Sequence, residues 1–249
     1  MRTRLLVVFG VLLCARGLCA DPSTWFADLT RLDLKDEQIR IWYPKASARP
    51  VAARPAYLRE VEDAGVHIAE PLLLDLGHGL PTLALACDSG PSNDPSCRLL
   101  TKPDDPDAPG SVIFESAGSD FVFAPSGEIY VFGSTDYTYD HRRLFRYDGK
   151  RFAEVAQPFR YVGIEGRTTA PVTLTSERAM GATDSTKVIA TLPARTPLTI
   201  LLNAASGDNE YGQNPDYLVS TREGIVGWAH LPVAPDGTTS VEGLHFNGD

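Results

Sequence analysis

Short runs of apolar residues, many of them alternating with polar ones, recur along the chain and predict strands rather than long helices. The run 38–43 alternates strictly, with Ile39 and Ile41 two residues apart. From residue 111 to residue 163, β-rich runs are separated by turn-forming sequences, one of which is Asp148-Gly149. An Asp-Gly pair between apolar runs is typical of a β-hairpin. This stretch therefore predicts a β-meander.

The pattern restarts near residue 168. The segment 165–171 has the composition of a linker. In the first half of the chain, before this linker, residues 55–65 predict one short helix, with a proline at its start and a glycine at its end. Five apolar runs follow the linker, at residues 172–174, 187–192, 197–202, 217–221 and 225–229. Five short strands joined by polar turns predict a small open barrel. The expected fold is mainly β, with an antiparallel sheet or meander domain carrying the short helix (21–167) followed by a barrel domain (168–249).

Residues 1–20 read as a secretory signal peptide. Two arginines near the start precede an apolar run from Leu5 to Leu13, and small residues lead up to Ala20. The apolar run is far shorter than the roughly 20 residues that a membrane-spanning helix needs. No later run is long enough either, so we expect no transmembrane segment. We expect cleavage after Ala20 and a periplasmic or secreted protein.

Charge and cysteine content add to this picture. The net charge of −9 becomes −12 when the three arginines of the leader are lost, so the mature chain would be repelled by nucleic acid. Of the four cysteines, Cys87 and Cys97 lie outside the leader. They flank a turn-rich segment in a chain predicted to be exported, which predicts a disulfide between them. The acidic, proline-rich stretch 88–110 predicts a long surface loop that this disulfide holds. We expect no nucleic-acid partner.

The C-terminal part resembles the bacterial SH3-like domain family over residues 170–233. The resemblance rests on the order of apolar strands, on the Leu192-Pro193 turn and on the sequence Gly224-Ile-Val-Gly-Trp228. The segment 203–215 is longer and more polar than the usual connection, and we expect it to reshape the groove of the domain. The resemblance implies an SH3-like small barrel, and some members of the family bind peptidoglycan peptides. The N-terminal domain resembles no family that we identify.

A search for catalytic groups yields only weak candidates. Asp75 and His78 lie three residues apart beside glycines and form a possible acid–base pair, although a turn histidine bonded to backbone is the commoner arrangement. Glu115 and Asp120 are a candidate glycosidase pair. Such a pair is defined by the distance between its two carboxyl groups, which the sequence alone does not show. None of the five histidines has another histidine or a cysteine at metal-ligand spacing. We expect no metal and no cofactor.

Aromatic residues are the better functional lead. Tyr211, Tyr217 and Trp228 lie in the SH3-like part, and Tyr137 and Tyr139 lie in a polar turn. Exposed aromatic rings beside acidic residues suit sugars or cationic peptides. The alternative is that Tyr217 and Trp228 are barrel core, and this alternative is favoured for Trp228. Tyr137 and Tyr139 are harder to bury in a turn.

These features favour an exported, non-catalytic binding or adaptor protein. Its expected partner is a peptide, a peptidoglycan fragment or another protein, contacted through the SH3-like module. One alternative is a periplasmic inhibitor or immunity protein, because an acidic, disulfide-bearing surface suits a basic secreted hydrolase or toxin. A second alternative is a hydrolase with a carboxylate or histidine site that the sequence does not reveal.

Overall fold

The computed structural model describes Phe26 and residues 28–50, 72–89, 94–101, 110–133, 137–178, 187–205 and 214–246. The predicted signal peptide and the predicted helix at 55–65 lie outside these ranges. The described residues are mainly β and form three sheets, none of them closed. They include no helix longer than the 3-10 turn Lys45–Ser47.

Two of the sheets share one hydrophobic core. The first has the strand order β1-β2-β8-β9-β10-β11, with bounds Leu29–Leu34, Ile39–Pro44, Asp120–Phe123, Ile129–Gly133, His141–Tyr147 and Phe152–Glu154. The second has the order β3-β4-β5-β6-β7, with bounds Ala48–Pro50, Leu72–Leu74, Leu83–Asp88, Ser96–Thr101 and Ser111–Ala117. All neighbouring strands are antiparallel except β2 and β8. Side chains from both sheets meet in a single cluster, so the pair is a β-sandwich.

The alternation in the sequence explains which side chains enter the sandwich core. Ile39 and Ile41 on β2 are buried there, whereas Arg40 between them is exposed. Trp42 points away from this core but is also buried, because a second cluster with Val122 and Phe132 covers that face of the sheet. The sheet therefore has apolar cover on both faces over part of its area, and simple alternation fails at Trp42.

The predicted disulfide is present, but its surroundings differ from the expected loop. Cys87 on β5 and Cys97 on β6 are directly opposite each other, bonded through sulfur, with Cα atoms 4.1 Å apart. The prediction of one long surface loop from residue 88 to residue 110 is wrong, because β6 lies within it. Leu99 and Leu100 on β6 are fully buried, and this burial holds the strand in the sheet.

The predicted meander also needs correction, since its strands are divided among three sheets. The chain leaves β7 in one sheet and enters β8 in the other at Gly118-Ser119. A Cβ atom at Gly118 would lie 2.4 Å from Cγ1 of Val131, so only glycine allows this close passage. The hairpin predicted at Asp148-Gly149 is confirmed. The carboxylate of Asp148 accepts hydrogen bonds from the backbone N–H groups of Lys150 and Arg151 there.

The third sheet contains the C-terminal strands in the order β12-β15-β16-β17-β13-β14. Their bounds are Phe159–Arg167 (β12), Val172–Thr175 (β13), Val188–Leu192 (β14), Pro197–Ala204 (β15), Asp216–Thr221 (β16) and Val226–His230 (β17). The five strands predicted after residue 168 are thus confirmed. The predicted linker at 165–171 is wrong at its start, because residues 165–167 end β12 and pair with β15. The division into domains at residue 168 and the SH3-like barrel stay predictions.

Candidate ligand-binding face of the C-terminal sheet

One face of the third sheet packs on a core and the other is partly open to solvent. The inner face carries Val162, Ile200, Val219 and Leu174, all buried. Successive residues of a strand point to opposite faces, and residues opposite each other on neighbouring strands share a face. The register pairs Tyr161 with Leu202, Leu202 with Leu218, Leu218 with Trp228, and Trp228 with Thr175. These residues therefore form one continuous row across the outer face.

The outer row, together with Phe159, forms an apolar surface that we call the outer patch; its members are Phe159, Tyr161, Leu202, Leu218 and Trp228. Phe159 and Tyr161 are 44% and 54% exposed, and Trp228 is half-buried. The ring centroids of Phe159 and Trp228 are 6.0 Å apart with their planes 36° from parallel. The patch thus offers flat aromatic surface on strands rather than on loops.

Charged groups border the outer patch. The guanidinium carbon of Arg142 lies 4.9 Å from the centroid of the Tyr161 ring, within cation–π distance. The buried carboxylate of Asp216 accepts from Nε of Arg178 at 3.1 Å and lies 2.8 Å from Nδ1 of His230. Because His230 is opposite Asp216 and two residues beyond Trp228, this cluster lies on the outer face as well. A bound molecule would therefore meet both aromatic and polar groups.

The glycines of the Gly-x-x-Gly-Trp sequence shape the strand that carries Trp228. Gly224 has a φ of +87° in the β16–β17 turn, a conformation that glycine adopts without steric cost. A Cβ atom at Gly227 would lie 3.0 Å from Cβ of Leu174 and 3.2 Å from Cδ1 of Ile189. The absence of a side chain at Gly227 therefore lets the inner face pack tightly, while the next residue, Trp228, points outward.

Five aromatic residues were proposed as binding residues; four of them lie within the described ranges, and one of those four is on the outer patch. Trp228 lies there, although the sequence favoured a place in the core. Tyr217 is buried in the core of the third sheet, as the alternative interpretation had it. Tyr211 lies outside the described residues. Tyr137 is partly buried, with its ring centroid 4.0 Å from that of His141.

The expectation that Tyr139 resists burial is wrong. Its side chain is 3% exposed and belongs to the core of the third sheet, although the residue precedes β10 of the sandwich. The Tyr139 hydroxyl donates to Oδ1 of Asn203 at 3.1 Å, and Thr138 bonds the hydroxyl of Tyr217 at 2.9 Å. Burial raises the pKa of Tyr139. This segment therefore joins the sandwich to the third sheet.

His141, next to this junction, is a buried histidine to which the sequence assigned no role. Neither ring nitrogen has a hydrogen-bond partner in the part of the chain that the structure describes. Burial, and then the charges of Arg160 and Arg143, lower the pKa of His141 to about 2. The ring is therefore neutral at ordinary pH.

Sequence reasoning missed Phe159 and Tyr161. Both belong to the stretch 111–163 that the sequence predicts to be a β-meander, and their spacing of two places them on one face of a strand. That signal shows that the two rings share a face of the strand. It does not show that this face is left uncovered, which depends on the neighbouring strands and sheets.

The catalytic candidates have structural partners of their own. His78 has a φ of +55° and its Nε2 donates to the carbonyl of Pro125 at 2.8 Å, which confirms the turn interpretation. Asp75 accepts from the backbone N–H of Gly77 instead. Glu115 pairs with Arg98, and Asp120 pairs with Arg40, while burial raises the pKa of Asp120. Across the described ranges, no three histidine, cysteine, aspartate or glutamate side chains lie together as a metal site would require.

Comparisons with protein-family models, with curated proteins and with solved structures each found no match. The SH3-like resemblance of residues 170–233 therefore stays a prediction. Within the described ranges, no helix is long and apolar enough to cross a membrane.

Proposed function

We propose that the protein is an exported, non-catalytic binding protein that recognises a peptide or a peptidoglycan fragment through the outer patch. The observation that carries the proposal is the continuous row from Tyr161 to Trp228, with Phe159 beside Trp228. Exposed apolar surface that is contiguous and bordered by polar groups is typical of interaction sites. The SH3-like resemblance and the predicted leader agree with this proposal.

The chemistry of the patch suits a ligand with both apolar faces and polar edges. Aromatic rings offer large, rigid contact area, and the hydroxyl of Tyr161 adds a donor and acceptor at its edge. Arg142 and His230 lie at the border, where a carboxylate or hydroxyl of the ligand would meet them. A cell-wall fragment, which combines sugar rings with a short peptide carrying carboxylates, has this combination of groups.

The inhibitor or immunity alternative uses the same surface. Aromatic residues at the centre of a patch and charged residues at its rim are the composition of a protein–protein interface. The acidic net charge, −9 for the full sequence and −12 once the three arginines of the predicted leader are lost, would speed association with a basic enzyme. The experiment below separates the two partners.

The test is sedimentation of the purified chain with peptidoglycan sacculi at low salt. We expect the unsubstituted chain to sediment with the sacculi and the double variant Phe159→Ala, Trp228→Ala to stay in solution. Val112→Ala is the matched control, because Val112 is an exposed apolar residue on the sandwich, 48% exposed. It should sediment like the unsubstituted chain.

Two outcomes would contradict the proposal. Equal sedimentation of the double variant would show that the outer patch is not the binding surface. No sedimentation of any form would exclude the cell-wall ligand. In that case a pull-down from periplasmic extract that recovers one protein with the unsubstituted chain, and not with the double variant, would favour the inhibitor alternative.

A further inference from the structure

A second candidate site lies at one end of the C-terminal sheet. The end of β12, the start of β15, the β16–β17 turn and the segment after Val241 surround a cleft of about 540 Å³. Four charged residues, each of them exposed, are among those that line it: Glu165, Arg167, Arg222 and Glu242. Sites for small molecules have volumes of roughly 300–1,000 Å³, so the cleft is large enough to hold one.

Backbone contacts fix the wall formed by the C-terminal segment. The N–H of Glu242 donates to the carbonyl of Arg167 at 2.8 Å, and Thr168 forms an isolated β-bridge with Val241. A Cβ atom at Gly166 would lie 2.2 Å from the carbonyl oxygen of Glu242, so any other residue there would push the two segments apart. The positions of Glu165, Arg167 and Glu242 around the cleft therefore follow from the backbone.

The charges of the cleft are not paired with one another. Within the described ranges, none of the four side chains takes part in an ion pair or a side-chain hydrogen bond. Elsewhere in the molecule, arginine and carboxylate side chains do pair when they are close, as Arg98 with Glu115 at 2.7 Å and Arg146 with Glu128 at 2.6 Å. Two arginines and two glutamates thus line one solvent-open cleft without pairing with another described side chain, so their charged groups are hydrated and accessible to a ligand.

From this arrangement we propose that the cleft binds a small zwitterion, a molecule with one ammonium and one carboxylate group. The guanidinium groups of Arg167 and Arg222 would take the carboxylate, which arginine binds through paired N–H donors. The carboxylates of Glu165 and Glu242 would take the ammonium. A free amino acid and a short peptide with free ends share this chemistry. The proposal does not depend on the outer patch.

The experiment is an NMR titration of the full chain with four probes: alanine, alanyl-alanine, N-acetyl-alanyl-alanine and alanyl-alanine amide. We expect saturable amide shifts around Gly166 and Arg222 with at least one zwitterionic probe. Each blocked dipeptide should bind about tenfold more weakly than alanyl-alanine, because it lacks one of the two charges. Alanine against alanyl-alanine tells a free amino acid from a peptide.

Two variants test which side chain of the cleft binds the carboxylate of the ligand and which binds its ammonium. Arg222→Gln should weaken binding of the zwitterion but leave the amide probe, which has no carboxylate, unchanged. Glu242→Gln should also weaken binding of the zwitterion, but it should leave binding of the N-acetyl probe unchanged, because that probe has no ammonium group. Glu223→Gln is the matched control, because Glu223 is exposed beside Arg222 but does not line the cleft. Thermal unfolding of each variant checks that the fold is retained.

The proposal is overturned if the blocked dipeptides bind as tightly as alanyl-alanine, or if no probe gives saturable shifts at about 10 mM. Sedimentation of Arg222→Gln with sacculi separates this site from the outer patch. We expect that variant to sediment normally, whereas the Phe159→Ala, Trp228→Ala double variant should bind the zwitterion normally.

Discussion

The sandwich and the C-terminal sheet differ in how many of their large apolar side chains are exposed. In the sandwich, the ring of Phe114 packs edge-on against three other phenylalanines: Phe121, Phe145 and Phe152. In the C-terminal sheet, Phe159 and Trp228 pack against each other at the surface. Among the described residues, Val112 is the one strongly exposed large apolar side chain of the sandwich. The C-terminal part has six: Phe159, Tyr161, Val188, Ile189, Val226 and Val233.

This difference follows from architecture rather than composition. Two sheets that share a core cover each other's apolar faces. The third sheet packs on the chain's terminal segment and on Tyr139 from the sandwich side, which covers one face and leaves the other partly open. The same aromatic residue types therefore stabilise the fold in one region and are available to a ligand in the other. Three substitutions test this contrast.

The largest effect is expected in the sandwich core. Phe114→Ala removes a ring that contacts three others, and truncation of a buried phenylalanine costs about 3–5 kcal/mol in the free energy of unfolding. Urea unfolding measures this change. Val112→Ala, two residues away on the same strand but exposed, should change stability by less than about 0.5 kcal/mol. Equal effects at the two positions would contradict the assignment of the core.

A smaller effect is expected at the junction between the regions, through the pH dependence of stability. His141 has a folded pKa of about 2, lowered by burial and then by Arg160 and Arg143. An unfolded histidine titrates near pH 6.5, so below that pH the unfolded chain takes up a proton that the folded chain does not. Stability therefore falls as the pH falls, by about 2 kcal/mol between pH 7 and pH 5 from this residue alone.

His141→Phe removes this contribution, so its loss of stability between pH 7 and pH 5 should be smaller by about 2 kcal/mol. Urea unfolding at the two pH values provides the comparison. His245→Phe, the same substitution at an exposed position, is the control for the change of side chain. A pH dependence of His141→Phe equal to that of the control would show that His141 does protonate in the folded state.

The smallest effect on stability is expected at the outer patch. Trp228→Ala removes a half-buried ring from an open face, so we expect a loss of less than about 1 kcal/mol, well below that of Phe114→Ala. Thermal unfolding checks this. A loss as large as that of Phe114→Ala would mean that Trp228 belongs to the core, and the binding proposal would lose its central residue.

Much of the local structure follows from short stretches of sequence. The hairpin at Asp148-Gly149 and the pairing of Cys87 with Cys97 were predictable, because turn geometry and neighbouring strands act over a few residues. The five C-terminal strands were predictable for the same reason. The strand β6 was missed because polar, turn-forming residues on both sides hide Leu99 and Leu100, which are buried against distant strands.

The candidate site was less predictable than the fold. The sequence selected Trp228 as an aromatic residue of the SH3-like part but also selected Tyr139 and Tyr217, which are buried. Tyr139 looks like a turn residue in the sequence. It is buried because β15, which comes much later in the chain, brings Asn203 within hydrogen-bonding distance of its hydroxyl. A contact across 64 residues of sequence leaves no local signal.

The sequence by itself determined where strands and turns form and which side chains share a face of a strand, because a period of two is a property of the extended backbone. Only the tertiary structure decided which of the two faces is covered. For Phe121 the second sheet of the sandwich supplies the cover, and for Phe159 and Trp228 no described segment covers the rings fully. Burial depends on what packs against a face, and in this protein that partner is far away in the chain.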